Sequence, residues 1–375
     1  MRLAFIFIAE PYQCYHGMAV AVELAAMSGV DVDIFYNEPA VLAHIRRIEK
    51  AHDSQPLPAY PLKRPTWVTW AQRMKIFGLM KKQIRQANAE MLLGYDAVIS
   101  VENTLADIFD GFAEHPPLIY LTHGSGDRAV AFQPRIAKFD MVLLSGRKTA
   151  DRMLALNLIR PGRYSTPGYI KLETTKRLRA SSSPPFAEQR SIVLYNPHKD
   201  RKLGSWQKFV GPFLDAFAGQ NEFNLIVAPH VKMFHRRSKT IREYWNSRSN
   251  DRVLVDTGSD RSLDNSYTDW ADIYVGDVSS QVYEFLTEPR PCVFLNAHGV
   301  DWRDDPHYLF WHLGDVVDDP AQLMDAIRAA PSRHHLYRAA QAEAVASTLG
   351  DICPGAAGRA AQAIVTFVKE GSVEA

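Results

Sequence analysis

The segment from Trp270 to Leu295 places two hydroxyl groups at a predicted strand-to-helix turn. The apolar residues up to Gly276 predict a short buried strand that ends at Asp277, and Val282–Leu286 predicts the start of a helix. Ser279 and Ser280 lie between the two. A helix N-terminus carries unpaired N–H groups and a partial positive charge, which together attract phosphate. We therefore expect Asp277, Ser279 and Ser280 to form an anion-binding loop, with a plain serine N-cap as the alternative.

Polar residues also follow a predicted strand in the first half of the chain. The run Leu118–Thr122 is followed by His123 and Gly124, and Arg128 comes soon after. Glycine allows the backbone to approach a ligand closely, and the guanidinium group binds phosphate in a forked geometry. This turn predicts a histidine and a phosphate contact at the end of one strand.

Two strand ends in the second half carry the same kinds of residue. Asn196, His198 and Lys199 follow one apolar run, and His230 follows the next. Each histidine alone fits an ordinary polar turn. Histidines and phosphate ligands after several parallel strands instead predict transfer from an activated nucleotide donor, with Asn196, His198 and Lys199 among the donor-binding residues.

The loop after the first predicted strand contains Tyr12 and His16, which we assign to the acceptor side. A neutral imidazole, with an unperturbed pKa of about 6.5, accepts a hydroxyl proton at neutral pH. Both His123 and His16 are therefore candidates for the general base, and the sequence leaves that choice open.

Short apolar runs alternate with helical segments along the whole chain, which is typical of parallel βαβ units. The runs are Leu3–Ile8, Val32–Tyr36, Ala97–Val101, Leu118–Thr122, Met141–Ser145, Ser191–Asn196, Asn224–Ala228, Val253–Asp256, Ile273–Gly276 and Pro291–Leu295. Five runs in each half predict an α/β protein with two facing doubly wound Rossmann-like domains and an interdomain cleft, since such sheets bind ligands beyond their carboxyl ends.

The Ser/Pro-rich stretch from Ala180 to Pro185 is the expected seam between the domains. The predicted boundaries are an acceptor domain at 1–180, a nucleotide-donor domain at 186–352, and a C-terminal segment at 353–375 that crosses back to the first domain. That segment contains a helix expected at about Gly358 to Lys369.

The composition excludes several classes of protein. With 43 basic and 42 acidic residues, the chain is not a globally basic nucleic-acid binder. The three cysteines have no zinc-finger spacing, and the N-terminal apolar run is too short for a signal peptide or a membrane span. No Asp-X-Asp follows a strand, so no metal cofactor is expected. We expect a cytoplasmic protein.

One segment suggests contact with a membrane surface. From Ser54 to Ala89 there is no acidic residue, and Lys and Arg side chains alternate with Trp67, Trp70 and other apolar residues. Such a mixture favours an anionic lipid surface or a lipid-linked acceptor at the inner face of the cell membrane. An ordinary surface helix that packs its apolar side on the first domain fits the same residues.

Several of these segments resemble motifs of the CDP-glycerol glycerophosphotransferase family, which comprises teichoic-acid-type polymerases and primases. The match runs over about residues 95 to 368. Gly276–Ser280 is similar to the Thr-Asp-Tyr-Ser-Ser signature of the family, and His123-Gly124 resembles its His-Gly motif. Tyr195–His198 is less closely similar to the Tyr-Ala-Pro-Thr motif of the family, and Ala228–Val231 to its Lys-X-His-Pro motif, without the lysine and the second proline. Gly168–Glu173 resembles the hinge segment of the family, and Ala357–Ala360 resembles the start of its terminal helix.

The resemblance implies the two-domain GT-B fold and metal-independent transfer to an acceptor hydroxyl in cell-envelope polymer synthesis. In the family the His-Gly histidine is proposed as the base, and the second histidine and the serines hold the donor diphosphate. This implies a catalytic pair of His123 and His230, with Ser279 and Ser280 on the donor phosphates. The replaced motif residues suggest a divergent branch with a CDP-glycerol-like or sugar-nucleotide donor.

Two other functions remain open at this point. A non-hydrolysing sugar-nucleotide 2-epimerase shares the two-domain plan and acts on a UDP-sugar without an acceptor. The altered residues around His230 also fit a non-catalytic nucleotide-binding relic of the transferase.

Overall fold

A computed structural model describes residues 1–73, 80–123, 132–179, 183–235 and 237–373, except for the side chains at 69 and 71–73. Two compact units are present. The first contains the described residues up to 123, those from 132 to 178 and those from 347 onwards, and the second contains those from 179 to 346.

The first unit contains a fully parallel sheet in the order β3-β2-β1-β4-β5-β6-β7. Its strands are β1 (Arg2–Phe7), β2 (Asp31–Tyr36), β3 (Ala59–Pro61), β4 (Ala97–Ser100), β5 (Leu118–Leu121), β6 (Met141–Leu143) and β7 (Tyr164–Ser165).

The second unit contains a second parallel sheet in the order β10-β9-β8-β11-β12-β13. Its strands are β8 (Ser191–Asn196), β9 (Phe223–Val227), β10 (Val253–Val255), β11 (Ile273–Gly276), β12 (Cys292–Leu295) and β13 (Asp315–Val317).

Helices connect the strands in both units. They are α1 (Met18–Ala25), α2 (Ala40–Ala51), α3 (Thr66–Arg73), α4 (Lys81–Leu92), α5 (Arg147–Ala155), α6 (Ile170–Arg179), α7 (Trp206–Ala218), α8 (Lys239–Asn246), α9 (Ser266–Trp270), α10 (Gln281–Phe285), α11 (Leu323–Arg333), α12 (Arg338–Leu349) and α13 (Ala356–Glu370). Among the described residues, no helix is both long and apolar enough to cross a bilayer.

The predicted α/β fold with two doubly wound sheets is confirmed. All ten apolar runs are strands, and nine of them lie inside the sheets, where strands buried on both faces need continuous apolar sequence. The tenth, β10, is an edge strand. The pattern did not reveal β3, β7 and β13, which are edge strands of two or three residues and too short to produce an apolar run.

Each sheet reverses its strand order once, and this reversal positions the candidate site. In the first unit it lies between β1 and β4, and in the second between β8 and β11. The connections leave these neighbouring strands in opposite directions and open a crevice at their carboxyl ends. Residues that directly follow β1, β4, β8 and β11 therefore converge within their own unit.

The C-terminal segment packs within the first unit. Helix α13 lies against α1, and its apolar side, which includes Ala357, Ile364 and Phe367, is buried. The hydroxyl of Ser145 donates a hydrogen bond to the Thr348 carbonyl at 3.0 Å. These contacts join residues about two hundred positions apart in the sequence.

Gly146 lies where the turn after β6 meets this C-terminal segment. A Cβ atom at this position would lie 2.6 Å from the Ser347 carbonyl oxygen and 2.8 Å from the Gly350 nitrogen. Because both neighbours are backbone atoms, the backbone must shift to accommodate a side chain. We predict that Gly146→Ala lowers the free energy of unfolding by about 1–3 kcal/mol, measured by urea denaturation.

Gly94→Ala is the matched control, because a Cβ atom there meets nothing within 4 Å. Its free energy of unfolding should stay close to that of the parent chain. Equal stability of the two variants would contradict the close backbone contact at Gly146.

Candidate functional site

In the first unit, the residues after β1 and β5 bring two histidines together. His16 ends a short turn, Pro11–His16, and is 7% exposed, and His123 follows β5. Their ring centroids are 6.1 Å apart in an edge-on arrangement, and the His16 ring is 5.9 Å from that of Tyr169. Tyr12 lies in the same turn. His16, one of the two acceptor-side residues predicted from the sequence, is therefore a neighbour of His123.

Two residues that the sequence interpretation missed complete this group. The Gln13 amide nitrogen donates to Glu102 Oε2 at 3.0 Å and lies 3.3 Å from His123 Nε2. Lys81 Nζ contacts the same carboxylate oxygen at 3.0 Å. The position of Glu102 directly after the run Ala97–Val101 was the available signal, while nothing in the sequence marked Gln13.

The charges in this group are fixed by their surroundings. Burial opposes ionisation of Glu102, but Lys81, His123 and Gln13 together lower its pKa to about 2. Burial, Lys171 and His123 hold the pKa of His16 well below its ordinary value, so His16 is neutral. Glu102 is a carboxylate that accepts hydrogen bonds only. Gly124 and Arg128, which the sequence assigned to phosphate binding, lie outside the described residues.

In the second unit, the carboxylate of Asp277 ties two loops together. It accepts hydrogen bonds from the His198 N–H at 2.9 Å, the Val278 N–H at 2.6 Å, and both the N–H and the hydroxyl of Ser205 at 2.6 and 2.8 Å. Trp311 donates from its ring to the Asp277 carbonyl at 2.6 Å. Burial raises the pKa of Asp277, although these donors oppose that shift. Asp277 therefore shapes the loops after β8 and β11.

The two histidines of this unit lie side by side and present the same ring atom. The ring centroids of His198 and His230 are 5.5 Å apart. His198 Nδ1 accepts from the Asp200 N–H at 3.2 Å, and His230 Nδ1 accepts from the Lys232 N–H at 3.1 Å. An Nδ1 atom that accepts a hydrogen bond has no proton, so in each neutral ring the proton is on Nε2. Both imidazoles are thus donors at Nε2.

The protonation of His230 is set by its environment. Burial is the main cause that lowers the pKa of His230 to about 3, and the electrostatic interactions with His198, Lys199 and Lys232 act in the same direction. The ring therefore stays neutral near pH 7 and serves as a hydrogen-bond donor.

The serine loop leaves one hydroxyl outside the helix. Ser280 is at the N-cap of α10, but its side chain makes no capping bond. Ser279 is buried, and its hydroxyl accepts from the Gln281 N–H at 3.4 Å. Gly276 precedes the loop, and a Cβ atom there would collide with the Tyr274 ring at 2.6 Å. A side chain at residue 276 would therefore displace the Tyr274 ring, whose hydroxyl donates to Asn196 of β8.

Asn196 and Lys199, which both follow β8, have different roles in the second unit. The Asn196 amide is used inside the unit, because it donates to the Ala228 carbonyl at 2.7 Å and accepts from the Tyr274 hydroxyl at 3.2 Å. Lys199 is exposed on the loop beside His230. Asn196 therefore holds β8, β9 and β11 in register, and Lys199 supplies positive charge.

A small pocket opens beside the same strand ends. Its lining includes Pro229, Arg261, Asn265 and Gln281. Asn265 is 2% exposed, its backbone is left-handed with φ of 62°, and neither atom of its amide has a hydrogen-bond partner among the described residues. A buried amide without partners is rare in folded proteins. It leaves one donor and one acceptor available in this part of the second unit.

Metal-ligating side chains come together at a different place. Among the described residues, the cluster with suitable spacing is Glu23, His52 and Glu173, whose ligand atoms lie within 4.8 Å of one another. His52 pairs with the Thr174 hydroxyl at 3.0 Å, and Glu173 accepts from the Ala357 N–H at 3.3 Å. These bonds connect α6 and α13 to the rest of the first unit.

Three solved structures are similar to this chain over nearly its whole length. UDP-GlcNAc 2-epimerase from Neisseria meningitidis bound to UDP-GlcNAc has a TM-score of 0.66 at 11% identity, covering 98% of this chain and 100% of that one. The S. aureus MnaA–UDP structure has a TM-score of 0.62 at 12% identity, covering 98% and 96%. The wall teichoic acid polymerase TagF has a TM-score of 0.65 at 10% identity, covering 99% and 89%.

The likeness to these proteins confirms the GT-B-like fold. Epimerases and the polymerase match about equally well, so the likeness does not distinguish between the two families. No protein-family model matches the chain, and no curated protein matches it.

The low pKa of His230 has a consequence for stability. In the unfolded chain a histidine titrates near pH 6.5, whereas folded His230 resists protonation down to about pH 3. Between these values the unfolded state binds more protons, so stability falls as the pH is lowered. We predict that His230→Asn reduces the slope of the unfolding free energy against pH by at most about 1.4 kcal/mol per pH unit. The slope is measured by calorimetry between pH 7 and pH 4.

His335→Asn is the control, because His335 is exposed. We predict a larger change in the slope of stability against pH for His230→Asn than for His335→Asn. A parallel decline of the parent chain and His230→Asn would show that His230 does not hold its proton-free form in the folded state.

Proposed function

We propose that this chain is a GT-B-type transferase that moves a glycerophosphate or glycosyl group from a nucleoside-diphosphate donor to an acceptor hydroxyl in cell-envelope polymer synthesis. The second unit is assigned to the donor and the first to the acceptor. The main support is the adjacent pair of imidazoles in the second unit, whose Nδ1 atoms accept backbone N–H groups so that each Nε2 carries a proton, together with the Ser280 hydroxyl, which makes no capping bond to α10.

Donor binding in this proposal relies on hydrogen-bond donors in place of a protein-bound cation. His198, His230, Ser279 and Ser280 donate to the phosphate oxygens, with Lys199 as a nearby positive charge. Neutral N–H and O–H groups arranged in advance stabilise negative charge on a departing phosphate without reorganisation. A histidine with its pKa lowered to about 3 suits this role, because it remains a neutral donor throughout the reaction.

The cavity lined by Asn265 has room for about one water molecule, so it is too small for the nucleotide base. The similar structures that contain UDP or UDP-GlcNAc support a pyrimidine nucleotide as the donor.

Acceptor activation is assigned to the first unit, with His123 as the general base. The acceptor O–H bond breaks and its proton goes to His123. The acceptor oxygen bonds to the phosphorus or sugar carbon of the donor, whose bond to the leaving phosphate oxygen breaks as the nucleotide departs. His16 is the weaker candidate, because its lowered pKa makes it a poorer proton acceptor.

We predict that His123→Asn lowers turnover by about 10²–10⁴-fold with little change in donor affinity. Turnover is measured as nucleotide release from CDP-, UDP- and GDP-linked donors with a hydroxyl acceptor, and affinity by thermal shift with the same donors. Ser280→Ala is the counterpart, and it should weaken donor binding by roughly tenfold or more, because it removes a bond to a charged group.

If His123→Asn kept the turnover rate of the parent chain, His123 would not be the general base. Conversion of UDP-GlcNAc to its epimer without any acceptor would replace the transferase with the epimerase, which the likeness to the Neisseria enzyme favours. Donor binding with no turnover on any donor would instead indicate a non-catalytic relic.

We also propose that the first unit docks on an anionic membrane surface through α3. Trp67 and Trp70 on this helix are 53% and 62% exposed, which is unusual for tryptophan. The surrounding sequence from Ser54 to Ala89 has no acidic residue. Indole rings with nearby cations partition into lipid headgroups, so this surface would bring a lipid-linked acceptor to the first unit at the inner face of the membrane.

We predict that the double variant Trp67→Ala/Trp70→Ala loses most of its cosedimentation with vesicles containing anionic lipid. Binding of the parent chain should weaken as salt is raised. Tyr244→Ala is the control, since Tyr244 is an equally exposed aromatic residue on α8 of the second unit. Absence of binding by the parent chain, or an equal loss in the control, would contradict the membrane surface.

A further inference from the structure

Gln13 makes an unusual pair of contacts with one nitrogen atom. It lies in the turn after β1 and is 1% exposed. Its amide nitrogen is 3.0 Å from Glu102 Oε2 and 3.3 Å from His123 Nε2. An amide NH₂ group has two hydrogens, so it can donate to both neighbours at once. A single buried side chain thus connects a carboxylate to the histidine assigned as base.

The charge of Glu102 decides the orientation of this amide. Glu102 is ionised, in contact with Lys81 at 3.0 Å, and it also accepts from the Thr104 N–H at 3.4 Å. A carboxylate has no proton to donate, so the amide atom that faces it must be the nitrogen. The amide oxygen of Gln13 has no hydrogen-bond partner among the described residues. Its orientation therefore depends on Glu102 and His123.

The same orientation determines which nitrogen of His123 carries the proton. The nitrogen of Gln13 directs its second N–H at His123 Nε2, which must accept it and is therefore unprotonated. In the neutral ring the proton is then on Nδ1. A general base needs an available lone pair, and here that lone pair is on Nε2. His198 and His230 in the second unit have the opposite tautomer.

We propose that Gln13 is a positioning residue that fixes His123 in the tautomer with an unprotonated Nε2, and that Glu102 orients Gln13 for this purpose. The role in catalysis rests on the proposed function of His123 as the base. An acceptor hydroxyl displaces the long Gln13 contact and gives its proton to Nε2. The imidazolium that forms lies one amide away from the Glu102 carboxylate, whose charge balances it.

The tautomer can be measured without an activity assay. Long-range ¹H–¹⁵N spectra of protein labelled with ¹⁵N-histidine distinguish a ring protonated at Nδ1 from one protonated at Nε2. His123→Asn identifies the signals of His123 among the thirteen histidines. At pH 7.5 we predict that His123 carries its proton on Nδ1 in the parent chain.

Two variants remove the orienting groups in different ways. Gln13→Met keeps the approximate shape but removes both N–H groups, so His123 should lose its preference for the Nδ1-protonated form. Turnover should fall by at least tenfold, with little change in the KM for the donor. Glu102→Gln keeps a hydrogen-bonding side chain but removes the charge, so the tautomers should mix, and the acid limb of the rate–pH profile should move to lower pH.

Gln341→Met is the matched control. Gln341 is equally buried and makes two bonds to carbonyl groups in the second unit, at 2.9 and 2.8 Å. Its loss should alter stability without changing the ring signals of His123. The tautomer itself is measured in the parent chain, and His123→Asn serves only to identify the His123 signals.

The outcomes separate this proposal from the proposed function. A proton on Nε2 in the parent chain, or an unchanged tautomer in both Gln13→Met and Glu102→Gln, would overturn the role of Gln13. If the variants change the tautomer of His123 as predicted but no donor is turned over, Gln13 does orient His123, and the proposed function of His123 as a general base is wrong.

Discussion

The buried carboxylate of Asp277 is the constraint on which the candidate donor site depends. A carboxylate removed from water must be satisfied by hydrogen bonds, and here the donors come from His198, Ser205 and Val278, on loops that follow two neighbouring strands. Loss of any one donor would leave charge unsatisfied, so the loops after β8 and β11 are held in one arrangement. That arrangement places His198 beside His230 and leaves the Ser280 hydroxyl outside the bonding of α10.

The two units prepare their histidines in opposite ways. Backbone N–H groups bond to Nδ1 of His198 and His230 and leave a proton on each Nε2, whereas the Gln13 amide bonds to Nε2 of His123. The same side chain is thereby prepared as a donor in one unit and as a proton acceptor in the other. In both units the ring atom is selected by a neighbouring group, and the charged state follows from burial and nearby charges. This division agrees with donor binding in the second unit and acceptor activation in the first.

Much of the fold could be predicted because strands buried on both faces require apolar runs, and all ten runs became strands. The edge strands β3, β7 and β13 were missed because strands of two or three residues are too short to leave such a pattern. For the candidate site, the strand ends drew attention to the positions of His123, His198, His230 and Asp277. Their partners were not predictable: Gln13 meets Glu102 across 89 positions, and Ser205 meets Asp277 across 72. Contacts of this kind depend on tertiary packing, as does the use of Asn196 to join three strands.

The central claim is that the second unit holds a nucleoside diphosphate through neutral imidazoles and serine hydroxyls. A crystal structure of the chain with bound CDP or UDP tests this most directly. We expect phosphate oxygens within hydrogen-bond distance of Nε2 of His198 or His230 and of the Ser280 hydroxyl. A nucleotide bound elsewhere, or phosphates that contact neither imidazole, would contradict it.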